Sequence, residues 1–139
     1  MQIPGVSISY GPGKLGEGRI RVDQARFSWE KMEKDTGIGT EVVSVRMTDF
    51  GLVNYWESHH PHVIPEPFTP EPAETFSQAD CDYFAAVMRQ ISKEAYETPE
   101  IFENIPYSGS IPLVDPTPLE EWEKSIITCK QYREKRKPL

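Results

Sequence analysis

Five of the chain's thirteen prolines fall in one stretch, Asn54 to Ser77, NYWESHHPHVIPEPFTPEPAETFS, and no other feature restricts the fold as much. Pro61, Pro65, Pro67, Pro70 and Pro72 have no backbone N–H and a fixed φ. Each also pushes its predecessor towards extended or polyproline geometry. His60, His62–Glu66 and Thr69–Glu71 are therefore predicted to be extended. A helix is excluded, and so is a central strand, because five missing donors would break its ladder. The stretch reads as a stiff, displayed arm. It carries all three histidines of the chain, His59, His60 and His62.

Length predicts one domain at 139 residues. A chain of this size buries roughly 68–70% of its unfolded surface, enough for a core. Hydrophobic residues make up only 37%, and with glycine added the total stays just under the about 45–50% usual for a globule. That deficit suits a domain that completes its burial against a partner. Net charge is −7, from 15 basic and 22 acidic residues, which disfavours a phosphate backbone as partner. No apolar run approaches the ~20 residues of a membrane span. The N-terminal MQIPGVSISYGPG lacks the basic and apolar regions of a signal peptide. Cys81 and Cys129 fall on predicted helices and read as reduced, small core residues. The expected compartment is the cytoplasm.

Alternation predicts strands at Val6–Tyr10, Arg19–Phe27 and Leu52–Trp56. The loop Gly11–Gly18 contains the letters of a dinucleotide fingerprint, but a strand-like segment follows where a helix would have to open. Ser28 is placed to cap a short helix ended by Gly37 and Gly39, and Thr40 to cap a second from Glu41 to Phe50, stopped by Gly51. Ser77-x-x-Asp80 opens the longest helix, to about Tyr96, with Phe76 and Cys81 at the staple positions. Phe84, Val87, Met88, Ile91 and Ala95 form its apolar stripe. Thr98-Pro99-Glu100 starts a short helix, residues 105–118 are irregular, and a last helix runs from about Pro118 to Glu134 with Leu119, Trp122, Ile126 and Cys129 inward. The pattern is α+β, a small antiparallel sheet packed by helices. One domain covers 1–139: a strand and glycine-rich loop at 1–18, an α+β core at 19–104, and an extended segment with a C-terminal helix at 105–139.

Three histidines in H-H-x-H order invite a metal, but a closed zinc site wants four ligands, and neither cysteine is near in sequence. An extended backbone also turns His59 and His60 to opposite faces. Imidazoles bonded to backbone at a stiffened turn, or displayed into a partner's site, fit the pattern better. Glu66, Glu71 and Glu74 share the arm, with no feature that raises a carboxylate pKa. No G-x-S-x-G elbow occurs, and no lysine sits where a Schiff-base cofactor would want one. No catalytic, cofactor-binding or metal-ligating residue is therefore assigned.

From Ala25 through the arm, several short patterns resemble one family. They are Asp35, Thr36, Gly37 and Thr40 (D-T-G-x-x-T); Arg46, Asp49, Phe50 and Gly51 (R-x-x-D-[FY]-G); Ser58–Pro61 (S-H-H-P); Glu71, Pro72, Glu74 and Thr75; and Ala95–Glu100. Together they resemble the C-terminal domain of the glycine decarboxylase P-protein, in its second-subunit form. Two departures are His62, where close relatives tend to carry Trp, and Ile105-Pro106-Tyr107 in place of Ala-Pro-His; both bear on whether glycine is the substrate. The resemblance implies the small C-terminal domain of a fold-type-I pyridoxal-phosphate enzyme, without the large domain that carries cofactor and lysine. The expected function is a small subunit, inactive alone, that completes the fold and active-site cleft of a larger pyridoxal-phosphate subunit in a hetero-oligomer. The alternative is a non-catalytic regulatory or binding module derived from that domain. Tyr55, His59, His60, His62 and Glu66 are the candidates for the cleft or the interface.

Overall fold

The computed structural model describes residues 2–8, 26–53, 64–111 and 128–136. In chain order the elements are β1 (Ser7–Ile8), β2 (Phe27–Ser28), α1 (Glu30–Thr36), α2 (Thr40–Thr48), β3 (Pro67–Phe68), α3 (Gln78–Glu97), a 3-10 helix (Pro99–Asn104) and α4 (Cys129–Lys135). The sheet is antiparallel in the order β1-β2-β3, pairing Ile8 with Phe27 and Phe27 with Phe68. With α1, α2 and the 3-10 helix packed on α3, this is the α+β architecture expected.

The third strand is not where alternation placed it. Leu52 and Val53 belong to no strand, and 54–56 lie outside the described residues. The strand instead comes from the proline arm, as Pro67–Phe68. It pairs with β2 alone, so it is an edge, where proline is tolerated. The arm is consequently not all displayed: Pro67, Phe68 and Thr69 are buried. Phe68 stacks between Phe27, at 5.2 Å between ring centroids, and Trp29, at 5.3 Å. Around this stack the core gathers Met32 of α1, Val43 and Met47 of α2, and Val87, Met88, Ile91 and Ala95 of α3. The α3 stripe is thus the predicted one, with Phe84 half-buried at its upper end.

Local signals explain the helix ends in part. Ser77 Oγ accepts the Asp80 N–H at 3.2 Å, and Asp80 Oδ2 accepts the Ser77 N–H at 2.8 Å, which is the expected capping box. Gly37 and Gly51 end α1 and α2 at φ 78° and 74°. The other two caps are corrected. Ser28 accepts from the Glu30 N–H but stands one residue before the cap position, and its hydroxyl donates to Pro65 O at 2.6 Å. Thr40 is the first residue of α2 rather than its cap, and its hydroxyl donates to Pro67 O at 3.0 Å. Both hydroxyls tie the arm to the sheet, a tertiary use that outweighs the local one.

The last helix also differs. Thr128 is extended (ψ 158°) and caps α4, so a helix starts afresh at Cys129 instead of running through from Pro118. Leu119, Trp122 and Ile126 lie outside the described residues. Cys129 and Cys81 are both exposed, not core; Phe76, the other staple residue, is exposed too. Residues 9–25, with the glycine-rich loop, lie outside the described residues as well.

Before β1, Ser92 Oγ of α3 donates to Pro4 O at 2.7 Å and draws the N-terminal segment onto the core. Gly5 is buried there at φ 76°, and an added Cβ would lie 2.6 Å from Met32 Cβ. Gly5→Ala is expected to lower stability by about 2 kcal/mol, through overpacking and a left-handed backbone. A urea midpoint equal to the parent's would show that this segment does not hold its place.

Candidate functional site

Of the five candidate residues, Tyr55, His59, His60 and His62 lie outside the described residues, whereas both flanks of their segment are described. The upstream flank leaves the C-terminus of α2, where Gly51 turns and the Leu52 N–H bonds Met47 O at 3.1 Å. The downstream flank returns at the N-terminus of α2, where Glu66 Oε2 accepts the Thr40 N–H at 2.6 Å. A helix of this length rises roughly 13 Å, so the two described flanks are held at opposite ends of α2.

Glu66 is not extended, as its proline neighbour predicted; its φ is 46°. Such a backbone costs on the order of 1–3 kcal/mol and persists only where the surroundings enforce it. Here Glu66 O accepts the Trp29 N–H at 2.9 Å, Pro65 O accepts from Ser28, and the carboxylate closes the positive end of α2. A Cβ at Gly39 would overlap Glu66 Oε2, so a larger residue there would displace the carboxylate from its bond to Thr40. The one described candidate thus has its carboxylate engaged in capping a helix.

Next to the upstream flank lies an open groove of about 430 Å³. Its walls are the turn Gly51–Val53, the Pro70–Pro72 segment with Phe76, and the first turns of α3 around Cys81 and Phe84. Val53 is 78% exposed, Tyr83 49% and Phe76 44%, a concentration of apolar side chains in solvent. Tyr83 Oη donates to Phe50 O at 2.8 Å and fixes one rim to α2. Glu71 and Asp80 supply the charge of the lining, which holds no Lys or Arg among the described residues. The Ser77 backbone N–H, and then its hydroxyl, hold the Asp80 carboxyl below its usual range.

Between α2 and α3 sits a group of charges. Arg46 of α2 grips Glu94 of α3 with two bonds, Nε to Oε2 at 2.9 Å and Nη2 to Oε1 at 3.1 Å. Its Nη1 reaches Asp49 Oδ2 at 2.8 Å. The guanidinium lies 4.9 Å from the Phe50 ring centroid and 5.4 Å from that of Tyr107. The hydrogen bond to Glu94 raises the Arg46 pKa further, against the opposing effect of burial. At Asp49 burial pushes the pKa up, but bonds from the Ser108 N–H, at 2.6 Å, and from Arg46 more than offset it, so the carboxyl stays below its ordinary value. Sequence reasoning quoted Arg46 and Asp49 only as letters of a pattern. Their i, i+3 spacing on a helix was a signal for the pair; nothing local pointed to Glu94, 48 residues on.

In the last turn of α3, Tyr96 Oη donates to Asp35 Oδ2 at 2.8 Å. Burial, then this bond, pushes the Tyr96 pKa up to about 12. A raised folded pKa gives stability that is whole below the unfolded value of about 10 and lost as pH rises through the folded one. Urea midpoints of the parent should therefore fall between about pH 10 and pH 12, and Tyr96→Phe should flatten that fall. Equal slopes in the two proteins would refute the linkage.

Among the described residues no group of three His, Cys, Asp or Glu is arranged to hold a metal, and no helix is long and apolar enough to cross a membrane.

The elements around this site define an α+β domain with an apolar groove and a proline-bound flank. No protein-family profile and no solved structure matches the chain. Curated proteins do. A protein of Pyrococcus abyssi named a probable glycine dehydrogenase (decarboxylating) subunit 2 is 33% identical over 121 residues, 87% of this chain and 24% of that protein. Its namesake in Pyrococcus furiosus is 32% identical over 88% of this chain and 23% of its own length. That of Thermotoga maritima is 33% identical over 60% and 18%. The chain is therefore a homologue of glycine dehydrogenase (decarboxylating) subunit 2, as its short patterns implied. It spans about a quarter of the length of the curated relatives it matches.

Proposed function

We propose that this chain is the small, cofactor-free part of a pyridoxal-phosphate enzyme similar to glycine decarboxylase, equivalent to the C-terminal domain of the P-protein. The observation that carries the reading is the extent of the match: nearly all of this chain corresponds to a quarter of its relatives, so three quarters of such a protein must be supplied by other residues. The described lysines do not fit a Schiff base. Lys31, Lys34 and Lys93 are more than half exposed and paired with surface carboxylates, and Lys130 and Lys135 are exposed on α4. An imine-forming lysine needs a desolvated or cationic pocket. Pyridoxal phosphate belongs on this reading to the larger chain, where it supplies the electron sink for loss of carbon dioxide from an amino acid.

The role left to this chain is positioning and water exclusion at the mouth of the cleft. Residues 54–63, between flanks held at the two ends of α2, would contact the larger chain near its cofactor, with Tyr55, His59, His60 and His62 as the contacting side chains. Glu66 would hold the segment's downstream end in register. The experiment is co-purification with the cofactor-bearing chain, an absorption spectrum of the complex, and borohydride reduction followed by mass analysis. The adduct is expected on the larger chain alone; a stoichiometric adduct on a lysine of this chain would overturn the reading. Changing His59 and His60 together to Ala should move the stability of the isolated chain by no more than about 0.5 kcal/mol. In the complex it should lower turnover by up to about 10²-fold. Unchanged assembly and rate would make the segment a connector. If no cofactor-bearing chain associates, the domain acts as a regulatory or binding module instead.

A further inference from the structure

The geometry points to the groove beside α3 as the docking surface for that larger chain, an inference that rests on the function proposed above. Its walls, the Gly51–Val53 turn, Phe76 and the α3 turns bearing Cys81 and Tyr83, present apolar side chains that no described part of the protein covers. Three observations select the occupant. Val53, Phe76 and Tyr83 stand between 44% and 78% exposed, so the groove is too open to bury the 70–90% or so of surface that a small ligand requires. A second copy of this chain is disfavoured by charge: the lining has Glu71 and Asp80 and no described basic residue, and the chain carries −7 overall. About three quarters of such a relative's length has no counterpart in this chain, and a domain that packs on a larger body presents to it the apolar surface on which that body sits. The fitting partner surface is an apolar projection flanked by Lys or Arg.

The two exposed cysteines make the test specific, because Cys81 lines the groove and Cys129 sits on α4. Each would be alkylated with a maleimide in the isolated chain and in the complex with the separately purified cofactor-bearing chain. Cys129 in the isolated chain confirms the reactivity of an uncovered thiol. Alkylation of Cys81 is expected to slow at least fivefold on assembly, and Phe76→Glu or Val53→Glu to weaken association at least tenfold. Val53 is so exposed that its substitution leaves folding untouched, which the melting temperature checks. If the complex forms and Cys81 reacts less than fivefold more slowly, or neither variant weakens association tenfold, the interface lies elsewhere and only this inference falls. A dimer of the isolated chain that shields Cys81 overturns it in favour of a second copy. Absence of any complex removes the proposed function with it.

Discussion

Arg46→Ala is expected to cost about 3 kcal/mol and to lower the melting temperature by roughly 10 °C. The side chain is only 12% exposed, and its partners Asp49 and Glu94 are 6% and 9% exposed. Removing the guanidinium leaves two carboxylates side by side in a low-dielectric setting, and the penalty is chiefly theirs. Arg46→Met with Glu94→Leu should therefore recover part of the loss, since the larger share of the stranded charge goes with Glu94. Acid titration adds a signature. Asp49 has a depressed folded pKa, so its contribution is present above the unfolded value of about 3.9 and disappears as pH falls through the folded one. Asp49→Asn should show a weaker loss of stability below about pH 4 than the parent. A melting temperature of Arg46→Ala within 2 °C or so of the parent's would mean that solvent reaches and screens the group.

Trp29→Ala should be at least as damaging, by about 3–5 kcal/mol. The indole is fully buried, stacked on Phe68, and its backbone N–H holds Glu66 O. Truncation opens a cavity at the joint between sheet, α1 and arm, where three separate segments have to relax together to fill it. Trp29→Phe keeps much of the volume and should cost less than half as much. The urea midpoints of the two variants give the comparison; equal losses would show that the volume phenylalanine keeps does not fill the joint.

How much of this was legible follows from how local each cause is. Ser77 and Asp80 act within one turn, and Gly37 and Gly51 each end a helix by their own φ, so α3 and the helix stops could be read directly. The α3 stripe is periodic and could be read as well. Ser28 and Thr40 have the letters of caps, but carbonyls 37 and 27 residues away take their hydroxyls. β3 was unreadable because the proline rule argues against a strand, and only its place at the edge of the sheet lifts the objection. Glu66 was singled out for its company on the arm. Its carboxylate finds a partner 26 residues upstream, which no short pattern encodes. The charged group around Arg46 was half legible: the i, i+3 pair was in view, and the Glu94 half was not.

The anchoring of the two flanks on opposite ends of α2 bears on how such a protein can diversify. Leu52 and Glu66 are each held by bonds that do not involve the residues between them. Closing a loop on fixed posts costs little more when the loop lengthens, about 0.6 kcal/mol per doubling. Changes of length between the posts thus cost little in closure. Selection can rewrite that stretch for a new substrate or partner at little cost to the closure of the loop, while Gly39 and Glu66 hold the downstream post.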